Sequence, residues 1–67
     1  MKIVNLITRE PVADTRTRDL AAAITAAGGE FYFPVPDNEP DILINNEWYY
    51  SEDLAIITEK EFNRGDF

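Results

Sequence analysis

The stretch DTRTRDLAAAITAAGG, residues 14–29, decides the fold because it has the clearest helical periodicity in the chain. Its apolar side chains recur at i, i+3, i+4 and i+7, and so share one face: Leu20, Ala23, Ile24 and Ala27. Three residues at its start can accept hydrogen bonds from the free N–H groups of a first turn: Asp14, Thr15 and Thr17. Gly28 and Gly29 supply a left-handed stop. The sequence therefore predicts one main helix over about residues 14–28, whose apolar face packs on a sheet.

Strand-like segments flank this helix on both sides. Before it, Lys2–Ile7 (KIVNLI) is an apolar, β-branched run, and Thr8–Ala13 is typical of a loop because it contains Pro11. After it, Glu30–Val35 (EFYFPV) alternates like a strand until Pro34 interrupts it or leaves it at a sheet edge. A strand, a helix and a strand in tandem predict a right-handed crossover between two parallel strands.

The runs LITREP, LAAAITAAGG and FYFPV, together about the first half of the chain, resemble the opening strand, helix and strand of uroporphyrinogen-III synthases. The resemblance lies in a strand followed by Thr-Arg and Pro, and in a glycine before the second strand. It implies a parallel βαβ unit. It implies no active-site residue here, because shared local form does not transfer function.

The second half of the chain contains a hairpin, a strand and a short helix. Asp41–Ser51 is typical of a hairpin because Asn45 and Asn46 tolerate the positive φ of a tight turn between two strand-like runs. Leu54–Ile57 (LAII) predicts a further short strand. Thr58–Glu61 matches the capping-box pattern and predicts a last helix that ends near Gly65.

These elements predict a single small acidic domain over residues 1–67 in the two-layer α+β class. The expected architecture is a β-α-β-β-β mixed sheet that carries the main helix, followed by the short C-terminal helix. The expected core consists of the large apolar residues on its facing surfaces: Ile3, Leu6, Leu20, Ile24, Phe31, Phe33, Ile42, Ile44, Trp48 and Ile56.

The composition argues against catalysis and metal binding. The chain has no cysteine and no histidine, which removes the commonest general base, the usual transition-metal ligand and any thiolate site. The acidic run Asp37–Asp41 offers oxygen ligands for a hard cation, but it lacks the glycine and distal glutamate of an EF-hand loop. Arg64-Gly65-Asp66 spells an integrin-binding tripeptide, for which a three-residue match is weak support. We expect no enzymatic activity, no metal and no cofactor.

Charge is the most informative functional feature of the sequence. The formal net charge is −7, and no Lys or Arg occurs between Asp19 and Glu59. That interval holds nine carboxylates: Asp19, Glu30, Asp37, Glu39, Asp41, Glu47, Glu52, Asp53 and Glu59. Such a block repels phosphate, and so argues against direct binding to nucleic acid or to an anionic membrane. It favours a partner protein with a basic surface.

Trp48, Tyr49 and Tyr50 form an aromatic cluster beside these carboxylates. Because side chains alternate along a strand, Tyr49 points away from Trp48 and Tyr50, so at least one aromatic ring faces outward. Either Trp48 and Tyr50 complete the core, or the exposed ring anchors an interface with an acidic rim. The candidate partner-binding residues are Asp37, Glu39, Asp41, Glu47, Trp48, Tyr49, Glu52 and Asp53.

The expected function is that of a small acidic inhibitor, of the type that phages encode, which occupies the basic nucleic-acid-binding surface of a host or defence protein. Anti-CRISPR proteins, anti-restriction proteins and RNA-polymerase inhibitors fit this outline. The alternative is a non-inhibitory accessory domain that acts through an apolar protein–protein interface. No apolar run in the sequence is long enough for a membrane span or a signal-peptide core, so a cytoplasmic location is expected, in the host cell if a phage encodes the protein.

Overall fold

Two antiparallel sheets and two helices make up the fold in the computed structural model, which describes residues 1–32 and 41–67. The elements are β1 (Lys2–Asn5), β2 (Pro11–Asp14), α1 (Leu20–Ala26), β3 (Glu30–Phe31), β4 (Ile42–Ile44), β5 (Glu47–Tyr49), β6 (Leu54–Ile57) and α2 (Glu59–Arg64). One sheet has the strand order β2-β1-β6, and the other has the order β3-β4-β5. The predicted α+β class, with one main helix and a short C-terminal helix, is confirmed.

The first sheet begins with a hairpin, whose second strand lies mostly in the predicted loop Thr8–Ala13. The Asn5 side chain accepts a hydrogen bond from the Ile7 amide at 2.9 Å, and Arg9 adopts a left-handed φ of 64°. These two features reverse the chain, so that β2 runs back antiparallel to β1. The predicted strand Lys2–Ile7 therefore stops at Asn5, and half of the predicted loop is strand. Pro11 is tolerated because β2 lies at the edge of the sheet.

The predicted parallel pairing of the first strand with the strand after the helix is wrong. Both sides of β1 are occupied by antiparallel partners, β2 on one side and β6 on the other. The strand after the helix, β3, instead pairs antiparallel with β4. The expected mixed sheet is therefore replaced by two separate antiparallel sheets, and the topology implied by the resemblance to uroporphyrinogen-III synthases is absent from the described residues.

The main helix starts later than predicted. Asp19 is its N-cap, and its Oδ1 accepts hydrogen bonds from the amides of Ala21 at 3.1 Å and Ala22 at 3.4 Å. The earlier candidates are used elsewhere: Asp14 ends β2, while the Thr15 and Thr17 hydroxyls accept amide hydrogen bonds within the turn before the helix. Hydroxyl side chains form such local bonds in competition with helix.

The glycine stop of α1 is confirmed. Gly28 has φ 80°, its amide donates to the Thr25 carbonyl at 3.0 Å, and the Gly29 amide donates to the Ile24 carbonyl at 2.8 Å. These two bonds form a Schellman motif, which satisfies carbonyls that the end of a helix leaves free. Gly29 is also required for close packing, because an added Cβ would lie 2.6 Å from Ile24 Cγ2.

The second sheet is built on the predicted hairpin. Asn45 and Asn46 have φ values of 51° and 66°, as a type I′ turn requires, and they connect β4 directly to β5.

The predicted strand Leu54–Ile57 is also confirmed as β6. The capping box of α2 is present: the Thr58 hydroxyl accepts from the Glu61 amide, and the Glu61 carboxylate accepts from the Thr58 amide, both at 3.0 Å. Gly65 ends this helix in the left-handed conformation.

The core lies where α1 meets both sheets. Its buried members are Ile3, Ala23, Ile24, Ile42, Ile44 and Leu54. Leu20 and Ile56 pack against this cluster and are partly buried. The opposite side of the first sheet also buries Val4 and Ile57, and α2 lies on that side, because the Lys2 ammonium is 5.3 Å from the centre of the Phe62 ring.

Three of the predicted core residues lie at the surface. Leu6 is 40% exposed because it follows β1 into the turn. Phe31 is 51% exposed on a two-residue strand at the sheet edge, and Trp48 is 49% exposed on the outer side of the second sheet. Phe33 lies outside the described residues.

No helix in the described part of the chain is both long and apolar enough to span a bilayer.

Candidate protein-binding surface

The outer side of the β3-β4-β5 sheet carries the candidate site. Ile42 and Ile44 point into the core, so the alternating residue of β4, Leu43, points outward. Leu43 lies directly opposite Trp48 on β5 and opposite Glu30 on β3. Tyr32 extends this side by one residue, since its amide donates to the Asp41 carbonyl at 2.8 Å. We call this side of the sheet the outer face.

Two aromatic rings pack together on the outer face. The ring centres of Tyr32 and Trp48 are 5.0 Å apart and their planes are inclined by 58°, a tilted geometry that aromatic pairs favour. Both side chains are also close to half exposed, at 45% and 49%. The aromatic pair is therefore held in a defined arrangement while it remains open to solvent.

Glu30 fixes one ring of this pair. The Tyr32 hydroxyl donates a hydrogen bond to Glu30 Oε2 at 2.5 Å. This hydrogen bond raises the pKa of Tyr32, with smaller contributions from burial and from the Glu30 charge. Tyr32 therefore stays a neutral hydrogen-bond donor at neutral pH, and the Glu30 carboxylate is held at the hydroxyl end of the Tyr32 ring.

Tyr49 lies on the opposite side of the sheet from Trp48. It is partly buried and packs against the core cluster, and its hydroxyl donates to Glu47 Oε2 at 3.3 Å. Burial and then the Glu47 charge raise the pKa of Tyr49. Of the two alternatives that the sequence left open, Trp48 is therefore the exposed ring and Tyr49 is the one that supports the core.

The predicted carboxylates divide into exposed and structural groups. Glu47 and Glu52 are exposed, whereas Asp41 and Asp53 are partly buried. Asp41 Oδ1 accepts from the Ser51 amide at 3.0 Å and so joins the base of the hairpin to the 3₁₀ turn Ser51–Asp53. The carbonyl of Asp53 accepts from the Leu6 amide at 2.8 Å, which links this turn to the first sheet.

Two other predicted site residues, Asp37 and Glu39, lie outside the described residues.

Two members of the outer face, Glu30 and Tyr32, were not among the predicted site residues. The alternation in EFYFPV was a usable signal, because it places both residues on the side opposite Phe31. The pairing of that side with Trp48 depends on the β3–β4 register, which no local pattern in the sequence gives.

Charge is segregated between the two sheets. The β3-β4-β5 sheet lies wholly within the interval 19–59, which has no basic residue, while the rest of the chain carries all six basic side chains against four carboxylates. Lys2 pairs with Asp14 at 2.8 Å and with Glu59 at 3.8 Å, and Arg64 Nε pairs with Asp66 at 2.9 Å. Within residues 1–32 and 41–67, no ion pair involves a carboxylate of the second sheet. The Arg64–Asp66 pair also ties together the two charged residues of the integrin-like tripeptide.

Two open concave surfaces occur in the described part of the chain. One, of about 390 Å³, is lined by residues 14–17 and Ala26, and the hydroxyl of Thr15 donates to the Thr17 carbonyl there. A second, of about 360 Å³, lies between the end of α1 and the Asn45–Asn46 turn. In the described part of the chain, no three acidic side chains come close enough together to hold a metal ion.

The scan against protein-family models found no match, and the comparisons with curated proteins and with solved structures found none either.

Proposed function

We propose that this protein is a small acidic inhibitor that occupies the basic, nucleic-acid-binding surface of another protein. The observation that carries the proposal is the exposed Tyr32–Trp48 pair on a sheet whose charged residues are all carboxylates. Aromatic residues are enriched among those that dominate binding energies at protein interfaces, and carboxylates around them select a positively charged partner.

The same charge distribution argues against nucleic acid as the direct ligand of this surface. Phosphate groups would be repelled by a sheet that has no Lys or Arg. A protein that binds nucleic acid presents the complementary surface, with basic side chains arranged along a groove. Carboxylates displayed along strands can fill such a groove in place of phosphates. Suitable targets are CRISPR effectors, restriction enzymes and RNA polymerase, and a phage-encoded inhibitor would meet them in the host cytoplasm.

A displacement assay tests this proposal. A representative of each target class is bound to fluorescently labelled duplex DNA, and the purified protein is added while the anisotropy of the DNA is measured. Stoichiometric release of DNA from at least one class, weakened by added salt, is the expected result. A target that binds the protein and its DNA simultaneously, with unchanged affinity for each, would contradict competition.

A second candidate function is favoured by a different observation. Leu6 and Ile7 are adjacent in the β1–β2 turn, and Ile7 is 72% exposed. Exposed apolar residues of this kind suit an accessory domain that docks through an apolar contact. Binding through this turn would be insensitive to salt and would be lost in the variant Ile7→Ser, whereas binding through the outer face would not change in that variant.

A further inference from the structure

We infer that the outer face contains a binding site for an arginine side chain of the partner, formed by Trp48, Tyr32 and Glu30. This inference rests on the proposed function and makes it more specific. It names the partner group that the aromatic pair receives, and it distinguishes arginine from lysine.

The rings of Trp48 and Tyr32 offer an exposed surface that attracts a cation. Trp48 and Tyr32 keep about half of their surfaces exposed although they contact each other, so ring area remains available to a ligand. Across the sheet, Glu30 lies on the same face, and its carboxylate is hydrogen-bonded to the Tyr32 hydroxyl. A carboxylate beside aromatic rings makes this surface attractive to a cation, because the ring faces and the carboxylate both carry negative potential.

The chain's own cations lie elsewhere in the sequence. All six basic residues lie outside the interval 19–59. Lys2, which lies over the Phe62 ring, and Arg64, which pairs with Asp66, are engaged on other elements. In the described residues, the cation–π contact is that of Lys2 with Phe62 and no ion pair involves Glu30, so a cation for the Tyr32–Trp48 pair must come from a partner.

An aromatic ring together with a carboxylate suits an arginine side chain better than a lysine side chain. A planar guanidinium stacks on an aromatic ring and can donate parallel hydrogen bonds to a carboxylate, whereas an ammonium is more strongly hydrated and lacks this shape. An ionised carboxylate has about four acceptor positions, and the Tyr32 hydroxyl uses one of them. Glu30 therefore retains acceptors for a guanidinium that lies against Trp48.

The test compares two fluorescein-labelled hexapeptides that are identical except that one contains three arginines and the other three lysines. Binding to the wild-type protein is measured by anisotropy, and Trp48, the single tryptophan, reports occupancy of the site through its own fluorescence. We expect the arginine peptide to bind about 3- to 10-fold more tightly and to change the Trp48 emission. Equal affinities, or no binding of either peptide, would overturn the arginine site.

Two variants locate the preference, and one controls for charge. Trp48→Leu and Glu30→Gln should each remove most of the preference for arginine. Glu47→Gln removes the same charge from an exposed position on the other side of this sheet, and should weaken both peptides equally. Because the three side chains are exposed, circular dichroism melts should show that each variant folds.

A preference for arginine that persists in Trp48→Leu would overturn this site. If salt-sensitive binding and DNA displacement remain while the preference is absent, the inhibitor function stands without the arginine site.

Discussion

The Tyr32 hydroxyl donates its hydrogen bond to the Glu30 carboxylate two residues earlier, on the same side of the strand, at 2.5 Å. This contact places a negative charge and an aromatic ring side by side on the outer face. It also makes the protonated form of Tyr32 part of the folded structure, and this has a measurable consequence at high pH.

Because the pKa of Tyr32 is raised above its ordinary value of 10.0, the hydrogen bond stabilises the fold at pH values below that value. The contribution is lost as the pH rises through the higher pKa of the folded state. Urea denaturation of the wild type and of Tyr32→Phe, measured from pH 7 to pH 11, should show a constant difference in stability that shrinks only above about pH 10. A difference that is already lost near neutral pH would contradict the assigned hydrogen bond.

The capping box of α2 gives a second prediction, at acid pH. Thr58→Ala should lower the free energy of unfolding by about 0.5–2 kcal/mol, because the Glu61 amide loses its acceptor. The hydrogen bonds from Thr58 lower the pKa of Glu61, so its contribution is present above the ordinary value of 4.5 and is lost as the pH falls through the folded-state value.

The matched variant for this measurement is Glu61→Gln, because glutamine also accepts at this position of a capping box but does not titrate. Its stability should therefore vary less with pH than that of the wild type between about pH 5 and pH 2. Identical acid profiles for the two proteins would show that the Glu61 carboxylate does not cap the helix.

The two glycines after α1 should differ in what they tolerate. Gly29→Ala should cost about 1–3 kcal/mol, because the new Cβ would lie 2.6 Å from Ile24 Cγ2 and 2.9 Å from the Ile24 carbonyl oxygen. Gly28 has open space around it, and only its φ of 80° restricts it, so Gly28→Asn should be milder and Gly28→Val should cost about 1 kcal/mol or more. Thermal melts of the three variants test this order, and a harmless Gly29→Ala would refute the close packing.

The buried contacts between α1 and the two sheets should contribute most of the stability of the fold. Ile24→Ala should cost about 2–5 kcal/mol, since Ile24 is fully buried in the shared core. Leu6→Ala is the matched control at an exposed position and should change stability by less than about 0.5 kcal/mol. Equal effects of these two substitutions on urea denaturation would contradict the assignment of Ile24 to the buried core and of Leu6 to the surface.

Elements specified by short-range signals could be predicted from the sequence. The Asn45–Asn46 turn, the Thr58 capping box and the glycine stop of α1 each depend on residues within about five positions of one another, so their identities suffice. Four core isoleucines, Ile3, Ile24, Ile42 and Ile44, followed from periodicity.

The predictions that were wrong or undecided concern features that depend on competition between similar local signals or on pairing between strands that are distant in sequence. The segment Thr8–Ala13 was predicted as a loop because of Pro11, yet Pro11–Asp14 pairs with β1 across the turn at Asn5 and Arg9. The start of α1 required a choice between several polar residues that each satisfy the rule for an N-cap. The position of Trp48 was undecided because alternation gives two sides of a strand without indicating which one is covered.

The central claim is that the exposed carboxylates on and beside the second sheet bind a basic partner, and charge reversal tests it most directly. The variant Glu47→Lys with Glu52→Lys changes two exposed residues, one at the start of β5 and one in the 3₁₀ turn that follows it. The control, Glu59→Lys with Asp66→Lys, makes the same change in net charge at α2. Both proteins should fold, because all four substituted side chains are exposed and exposed charges contribute little to stability.

The measurement is the affinity of the three proteins, the wild type and both double variants, for the target that releases DNA in the displacement assay, at several salt concentrations. We predict that the sheet variant binds at least about 10-fold more weakly, mainly through slower association, that the control binds within about 3-fold of the wild type, and that salt reduces the difference. Affinities that are independent of both salt and the sheet reversal would contradict the claim.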